Sequence, residues 1–135
     1  MTQPSSILLA QRLLAAIGEG DPANAIAAMF SDDAPFEIPG DDGVLPWIGR
    51  RTGRPAVVDF ITGIRTLTEP LAFDVAEILA SDGRAVIIGE LASRIKATDK
   101  VVETDFAIIL TTSGDRITRF QLLEDSFAVS RAARA

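Results

Sequence analysis

The apolar residues of this chain change their period once, near Pro70, from every third or fourth position to every second, and this switch limits the possible folds more than any other feature. Before it, Ile7, Ala10, Leu13, Leu14 and Ile17 recur at helical spacing from Ser5 or Ser6 onward, and Gly18-Glu19-Gly20 ends the segment. Asp21-Pro22 starts a second, short helix: Asp21 can accept from the free amides of the next turn, and at the first helical position Pro22 loses nothing by lacking an N–H. Its buried stripe is Ile26, Met29 and Phe30. A third helix starts at Arg54-Pro55 and keeps Val57, Phe60, Ile61, Ile64 and Leu67 on one face, with Gly63 costing about 1 kcal/mol relative to alanine. Pro70 is expected to close this helical half. Between the second and third helices, Pro35, Pro39 and Gly40 bracket a brief strand, Phe36 to Ile38. The residues up to Gly53 then read as a long loop carrying Pro46-Trp47-Ile48-Gly49, of the kind that often rims a site.

From Leu71 onward, Ser81-Asp82-Gly83, Thr98-Asp99-Lys100 and Ser113-Gly114-Asp115 divide the chain into a four-stranded meander near 71–80, 84–97, 101–112 and 116–124. The two middle strands exceed the usual length of about 5 to 6 residues, which predicts strong twist or a bulge, with Gly89 the place for one. Asp125-Ser126 can cap a last short helix through Val129. Helices first and an antiparallel sheet after make an α+β fold, a single domain over 1–135 with three N-terminal helices packed in a strongly curved sheet. Val86 and Ile88 point to one face of that sheet, and Ala85, Ile87 and Leu91 to the other. A half-solvated sheet should not be apolar on both sides, so the pattern predicts a homodimer formed by two sheets packed face to face.

Composition narrows the chemistry. The 135 residues include no histidine, cysteine or tyrosine, so any reaction must rest on carboxylates, arginine, lysine, hydroxyls or bound water. No cofactor motif is present, and no spaced Asp/Glu loop supports a metal site. A formal charge of −6 disfavours nucleic acid and anionic headgroups as partners. The longest apolar runs fall far short of the roughly 20 residues that cross a bilayer. The first residues, Met1 to Ser6, lack the basic start of a secretory signal, which gives the cytoplasm as the expected compartment.

Several local motifs recur in one order: Gln11-Arg12, Gly20-Asp21, Phe30-Ser31-Asp32-Asp33-Ala34, Pro39-Gly40, Pro46-Trp47-Ile48-Gly49, Gly53 with Phe60, and Gly114-Asp115-Arg116-Ile117 with Asp125. In these the chain resembles the SnoaL-like and ketosteroid isomerase branch of the nuclear transport factor 2-like superfamily, over nearly its whole length. That resemblance implies a cone made by a bent sheet around three helices, with an apolar pocket at the wide end. Ketosteroid isomerases use a carboxylate base and an oxyanion hole of tyrosine and protonated aspartic acid. The base would lie directly before Pro39, where this chain has Ile38, and the tyrosine would lie after Gln11-Arg12, where it has Leu13. The third group corresponds to Asp105 in one register and Ala107 in another; both registers put Glu103, Asp105, Ala107 and Ile109 on one face.

Asp105 stands in a strand otherwise rich in valine, isoleucine, leucine and alanine, where a carboxylate is expected to be desolvated; the competing view is an ion pair with Arg94 or Arg119, or an exposed side chain at a dimer edge. Glu124, on the face of Phe120 and Leu122, is the second candidate, set against a salt bridge at the rim. Asp32 and Asp33 suit a turn better than catalysis, Glu37 alternates away from Phe36 and Ile38, and Asp125 suits a helix cap. Arg50, Arg51 and Arg54 form either a rim for an anionic ligand or surface ion pairs. Trp47 either lids the pocket or packs its loop onto the core.

The resulting expectation is a small-molecule binding domain whose pocket is lined by Leu13, Ile17, Phe36, Ile38, Trp47, Phe60, Phe120 and Leu122 and takes a small apolar organic ligand. An isomerase- or cyclase-like proton transfer would rest on Asp105 with Glu124. The alternative is a non-catalytic dimeric binding or accessory module in which every carboxylate is structural.

Overall fold

The computed structural model describes residues 5–135. Helix α1 (Ser5–Gly18) is followed by α2 (Ala23–Ala27), the strands β1 (Pro35–Ile38) and β2 (Gly49–Thr52), and helix α3 (Arg54–Leu67). The long strands β3 (Thr68–Ser81), β4 (Arg84–Ile95), β5 (Lys100–Ser113) and β6 (Arg116–Glu124) come next, and α4 (Ser126–Ala133) closes the chain. One curved, unclosed sheet carries all six strands in the order β2-β1-β6-β5-β4-β3. Strand β1 runs parallel to β6, Phe36 beside Phe120, so the sheet is mixed where a purely antiparallel one was expected.

Three further expectations are corrected. Part of the predicted long loop is the edge strand β2, which pairs antiparallel with β1. Pro70 does not end the helical half: α3 passes straight into β3, and Pro70 lies inside that edge strand, where a missing N–H need not break a ladder. Asp21 does not cap α2, which begins after Pro22 without a side-chain cap. Instead the Asp21 carbonyl accepts from Arg65 Nη1 at 2.5 Å, while Arg65 Nη2 donates to the Ile17 carbonyl at 3.3 Å. One arginine of α3 thereby ties the last turn of α1 to the link that precedes α2.

The predicted bulge exists, but on the neighbouring strand. The β3/β4 register slips between Val75 and Glu77, next to Gly89. At Gly89 a Cβ would collide with the Asp74 carbonyl and stand 2.9 Å from Phe106 Cζ, so only glycine lets β3 and the Phe106 ring approach β4 this closely.

The core lies between the helices and the inner face of the sheet. Ala85, Ile87, Phe106, Ile108, Leu110, Ile117 and Phe120 are buried there together with Leu13, Ile26, Val57 and Ile61 from the helices. Each leucine, isoleucine or phenylalanine so buried contributes about 1.5–3 kcal/mol. Asp125 caps α4 as expected, its carboxylate accepting from the Ala128 N–H at 3.0 Å, and the helix runs beyond Val129. Thr98 ties its end to the β4–β5 turn by donating to the Ala132 carbonyl at 2.5 Å.

Candidate functional site

The inner face of the sheet can be followed row by row toward its open end. Phe36 and Phe120 stack with ring centroids 4.4 Å apart and planes 3° from parallel, and Phe60 packs on both at 5.3 and 5.9 Å. Trp47 meets Phe60 edge-on at 6.2 Å. Of the eight residues expected to line a pocket, Leu13, Phe36, Ile38, Trp47, Phe60, Phe120 and Leu122 are buried and Ile17 is partly buried against them. At this level the rings fill the interior by packing on one another. Trp47 lies against α3 at Gly63, where a Cβ would stand 2.7 Å from its ring, so this tryptophan pins its loop to the core. Leu13 and Ile38, at the two positions where the resemblance implies catalytic groups, are core residues at 2% and 0% exposure.

Two residues beyond Leu122 the same face of β6 presents Glu124. Val75, Gly89, Phe106 and Glu124 form a continuous cross-strand row over β3, β4, β5 and β6. Phe73, 49% exposed, stacks on Phe106 at 4.9 Å and 20°, so one side of the row is an aromatic wall that reaches solvent. Thr104 holds the chain as it leaves β6: its hydroxyl accepts from the Asp125 N–H at 2.9 Å and donates to the Asp105 carbonyl at 2.7 Å. Burial beside these apolar groups pushes the Glu124 carboxyl up from its ordinary 4.5 to about 7. Among the described residues no cation pairs with it. Such a group can donate a hydrogen bond to a carbonyl oxygen when protonated and take a proton when ionised, both near neutral pH.

Asp105 is an exposed side chain, as one of the two competing views had it, and not the desolvated acid. The buried positions of β5 are Val102, Phe106, Ile108, Leu110 and Thr112, so the alternate set, Glu103, Asp105, Ala107 and Ile109, faces away from the helices. Asp105 is exposed there, directly across from Glu90, and the predicted desolvation is absent. Its backbone neighbourhood is apolar because the inward residues are. Neither expected partner pairs with it: Arg94 pairs with Glu69 and Asp99, and Arg119 forms no ion pair among the described residues. At this end of the sheet a groove of about 880 Å³ is lined by residues of both faces, Asp74, Glu90, Glu103 and Asp105 of the outer one and Leu91, Thr104, Phe106 and Glu124 of the inner one.

The arginine cluster is tied up by acids. Arg50 pairs with Glu37 at 2.7 Å, Arg51 with Asp59 at 2.6 Å and Arg54 with Asp32 at 2.6 Å. Glu37 also accepts from Gln121 Nε2 at 3.2 Å. At the C-terminal end, the Ser130 hydroxyl donates to Asp41 at 2.6 Å and, with Arg134 beside it, holds that carboxyl below its ordinary range. Among the described residues no three carboxylates are gathered closely enough to hold a metal ion, and no helix is long and apolar enough to cross a membrane. Sequence reasoning missed Phe73 and Thr104. Both act across strands, Phe73 by stacking on a ring two strands away and Thr104 by reaching past the end of β6, and a period-two pattern within one strand carries no trace of either.

Comparison with known proteins is consistent with this architecture. Residues 10–120 match the SnoaL-like domain. No curated protein matches the sequence. A nuclear transport factor 2-like protein from Burkholderia xenovorans superposes with a TM-score of 0.87 at 23% identity, covering 99% of each chain. A Rhodopseudomonas palustris protein whose given name proposes an isomerase gives 0.79 at 18% identity, with 98% of each chain covered. A Mesorhizobium loti protein whose given name proposes a SnoaL-like polyketide cyclase gives 0.70 at 16% identity, over 87% of this chain and 97% of the other.

Proposed function

The chain belongs to the SnoaL-like family, and from that premise we propose that it binds a small, flat, apolar organic molecule at the open end of its curved sheet, where Glu124 exchanges a proton with the ligand. The observation that carries this reading is the placement of Glu124: a carboxyl on the helix-side face, across from Phe106, with no ion-pair partner among the described residues. The half-exposed Phe73 ring offers a stacking surface for a flat ligand beside it. A carboxyl that titrates near 7 is matched to general acid–base work at neutral pH, a role worth about 10²–10⁴-fold in rate. Asp105, exposed on the opposite face, has no part in the proposal.

The test is a thermal-shift screen with steroids, polyketide-like aromatics and aliphatic acids, followed by NMR of hydrogen–deuterium exchange at the acidic carbon of any hit. Catalysed exchange that falls about 100-fold or more in Glu124→Gln, with binding retained, supports the reading. Exchange unchanged in that variant refutes it. A second reading, a binding or accessory module without turnover, is favoured by Leu13 and Ile38 serving as core. Under it the same screen gives binding and no exchange in the wild type.

A further inference from the structure

Strand β6 pairs with β5 only as far as Glu124, which lies across from Phe106. The residues of β5 that precede Phe106, Lys100 to Asp105, have cross-strand partners on β4 and none on β6. Glu124 is therefore the last residue that the ladder holds. The ends of such ladders open most readily, and a side chain placed there can turn into water with its backbone. A carboxyl that is to stay on the inner face needs its exit from the strand fixed by something else.

Thr104 supplies the missing fixture. It shares the inner face of β5 with Phe106, two positions away, and lies across from Leu91, so that the row Phe73, Leu91, Thr104 ends with it. Where a further residue of β6 would continue that row, the Thr104 hydroxyl accepts from the Asp125 N–H at 2.9 Å. The same hydroxyl donates to the Asp105 carbonyl at 2.7 Å, so it is engaged as donor and acceptor at once. Asp125 is then held at two atoms, its N–H by Thr104 and its carboxylate by the Ala128 N–H at 3.0 Å. On the other side of Glu124, Leu122 and Leu123 pair with Ile108 and Ala107. Glu124 thus sits between two anchored stretches, and the Thr104 bond closes the one the ladder leaves open.

We propose that Thr104 is a positioning residue for Glu124: its hydroxyl replaces the absent ladder bond at the end of β6 and keeps the carboxyl across from Phe106 instead of turned into water. This role rests on Glu124 being the group that exchanges a proton with the ligand, and adds the part that holds it in place.

Charge does not do the same work. The groove that Glu124 lines carries Asp74 from β3, Glu90 from β4, Glu103 and Asp105 from β5 and Asp125 from the link to α4, and no lysine or arginine. Like charges favour the protonated form but draw the carboxyl to no particular place. Burial does depend on where it points, and burial is what raises its midpoint. Valine matches threonine in shape and strand preference but offers neither donor nor acceptor, whereas serine keeps both.

The test is an NMR titration of the Glu124 carboxyl in the wild type and three variants, with hydrogen exchange of the Asp125 amide as a direct report on the bond. Thr104→Val should lower the midpoint by at least about one pH unit and speed exchange at Asp125 at least about 10-fold, and Thr104→Ser should return both to near the wild-type values. Thr98→Val, which cuts the 2.5 Å bond to the Ala132 carbonyl at the far end of α4, should change neither. A wild-type midpoint near 7 that Thr104→Val leaves in place overturns the positioning role and spares the reading of Glu124. A fall in Thr98→Val as large as that in Thr104→Val, or no recovery in Thr104→Ser, does the same. A wild-type midpoint near the ordinary 4.5 removes the acid–base reading and the positioning role together.

Discussion

The Phe106 ring lies over the backbone of Gly89, its Cζ 2.9 Å from the point where a Cβ would stand, and so the aromatic wall of the candidate site exists only because β4 carries glycine there. The same residue accommodates the Asp74 carbonyl at the β3 bulge. Gly89→Ala must displace one or the other. The expected loss is about 2–3 kcal/mol of stability, read as a lowered midpoint in urea with an unchanged slope. An unaltered midpoint would show that the close approach does not matter.

A second consequence concerns pH. The folded state holds the Glu124 proton up to about 7, whereas the unfolded chain releases it near 4.5. Between those values the folded state binds more protons, so this group makes stability fall as pH rises, by about 3 kcal/mol across the whole interval. Glu124→Gln should remove that part of the slope. Thermal midpoints of both proteins from pH 4.5 to 8 should diverge, the variant gaining on the wild type as pH rises; parallel curves would count against a buried carboxyl.

Much of this fold is legible in the sequence, and the reason is periodicity. The switch near Pro70 and the turn signals locate the four long strands to within a few residues, and Asp125 is recognisable as a cap. Gly49-Arg50-Arg51-Thr52 has no apolar alternation; it becomes a strand because β1 offers it an edge. Pro70 misleads because an edge strand tolerates what a central strand would not. The site is legible by halves. Parity with Phe120 and Leu122 puts Glu124 on the helix side, but parity says only which residues share a face, not which face the helices cover. With Val86, Ile88 and Ile109 outside and Ala85, Ile87 and Ile108 inside, the two faces look alike, and Asp105 falls on the outer one.

Trp47, the only tryptophan, reports on Gly63 of α3. A Cβ at that position would stand 2.7 and 2.9 Å from ring atoms. Alanine raises helix propensity by about 1 kcal/mol, yet Gly63→Ala should destabilise by about 1–2 kcal/mol net and shift Trp47 emission to the red as the indole is pushed toward water. A stabilised variant with unchanged emission would mean that the loop yields freely.

The phenylalanines divide into two classes that mutation separates. Phe120, 3% exposed and stacked on Phe36, should cost about 3–5 kcal/mol when replaced by alanine. Phe73, 49% exposed, should cost no more than about 1 kcal/mol and instead weaken binding of a flat ligand. Equal losses of stability at both positions would place Phe73 in the core.

The titration of the Glu124 side chain, followed through its carboxyl carbon by NMR with Glu124→Gln used for assignment, tests the account most directly. A midpoint near 7, moving when a ligand binds, is the predicted result. A midpoint near the ordinary 4.5 would mean that the carboxyl is solvated and ionised at neutral pH, and the acid–base role proposed for the open end of the sheet would have no group to perform it.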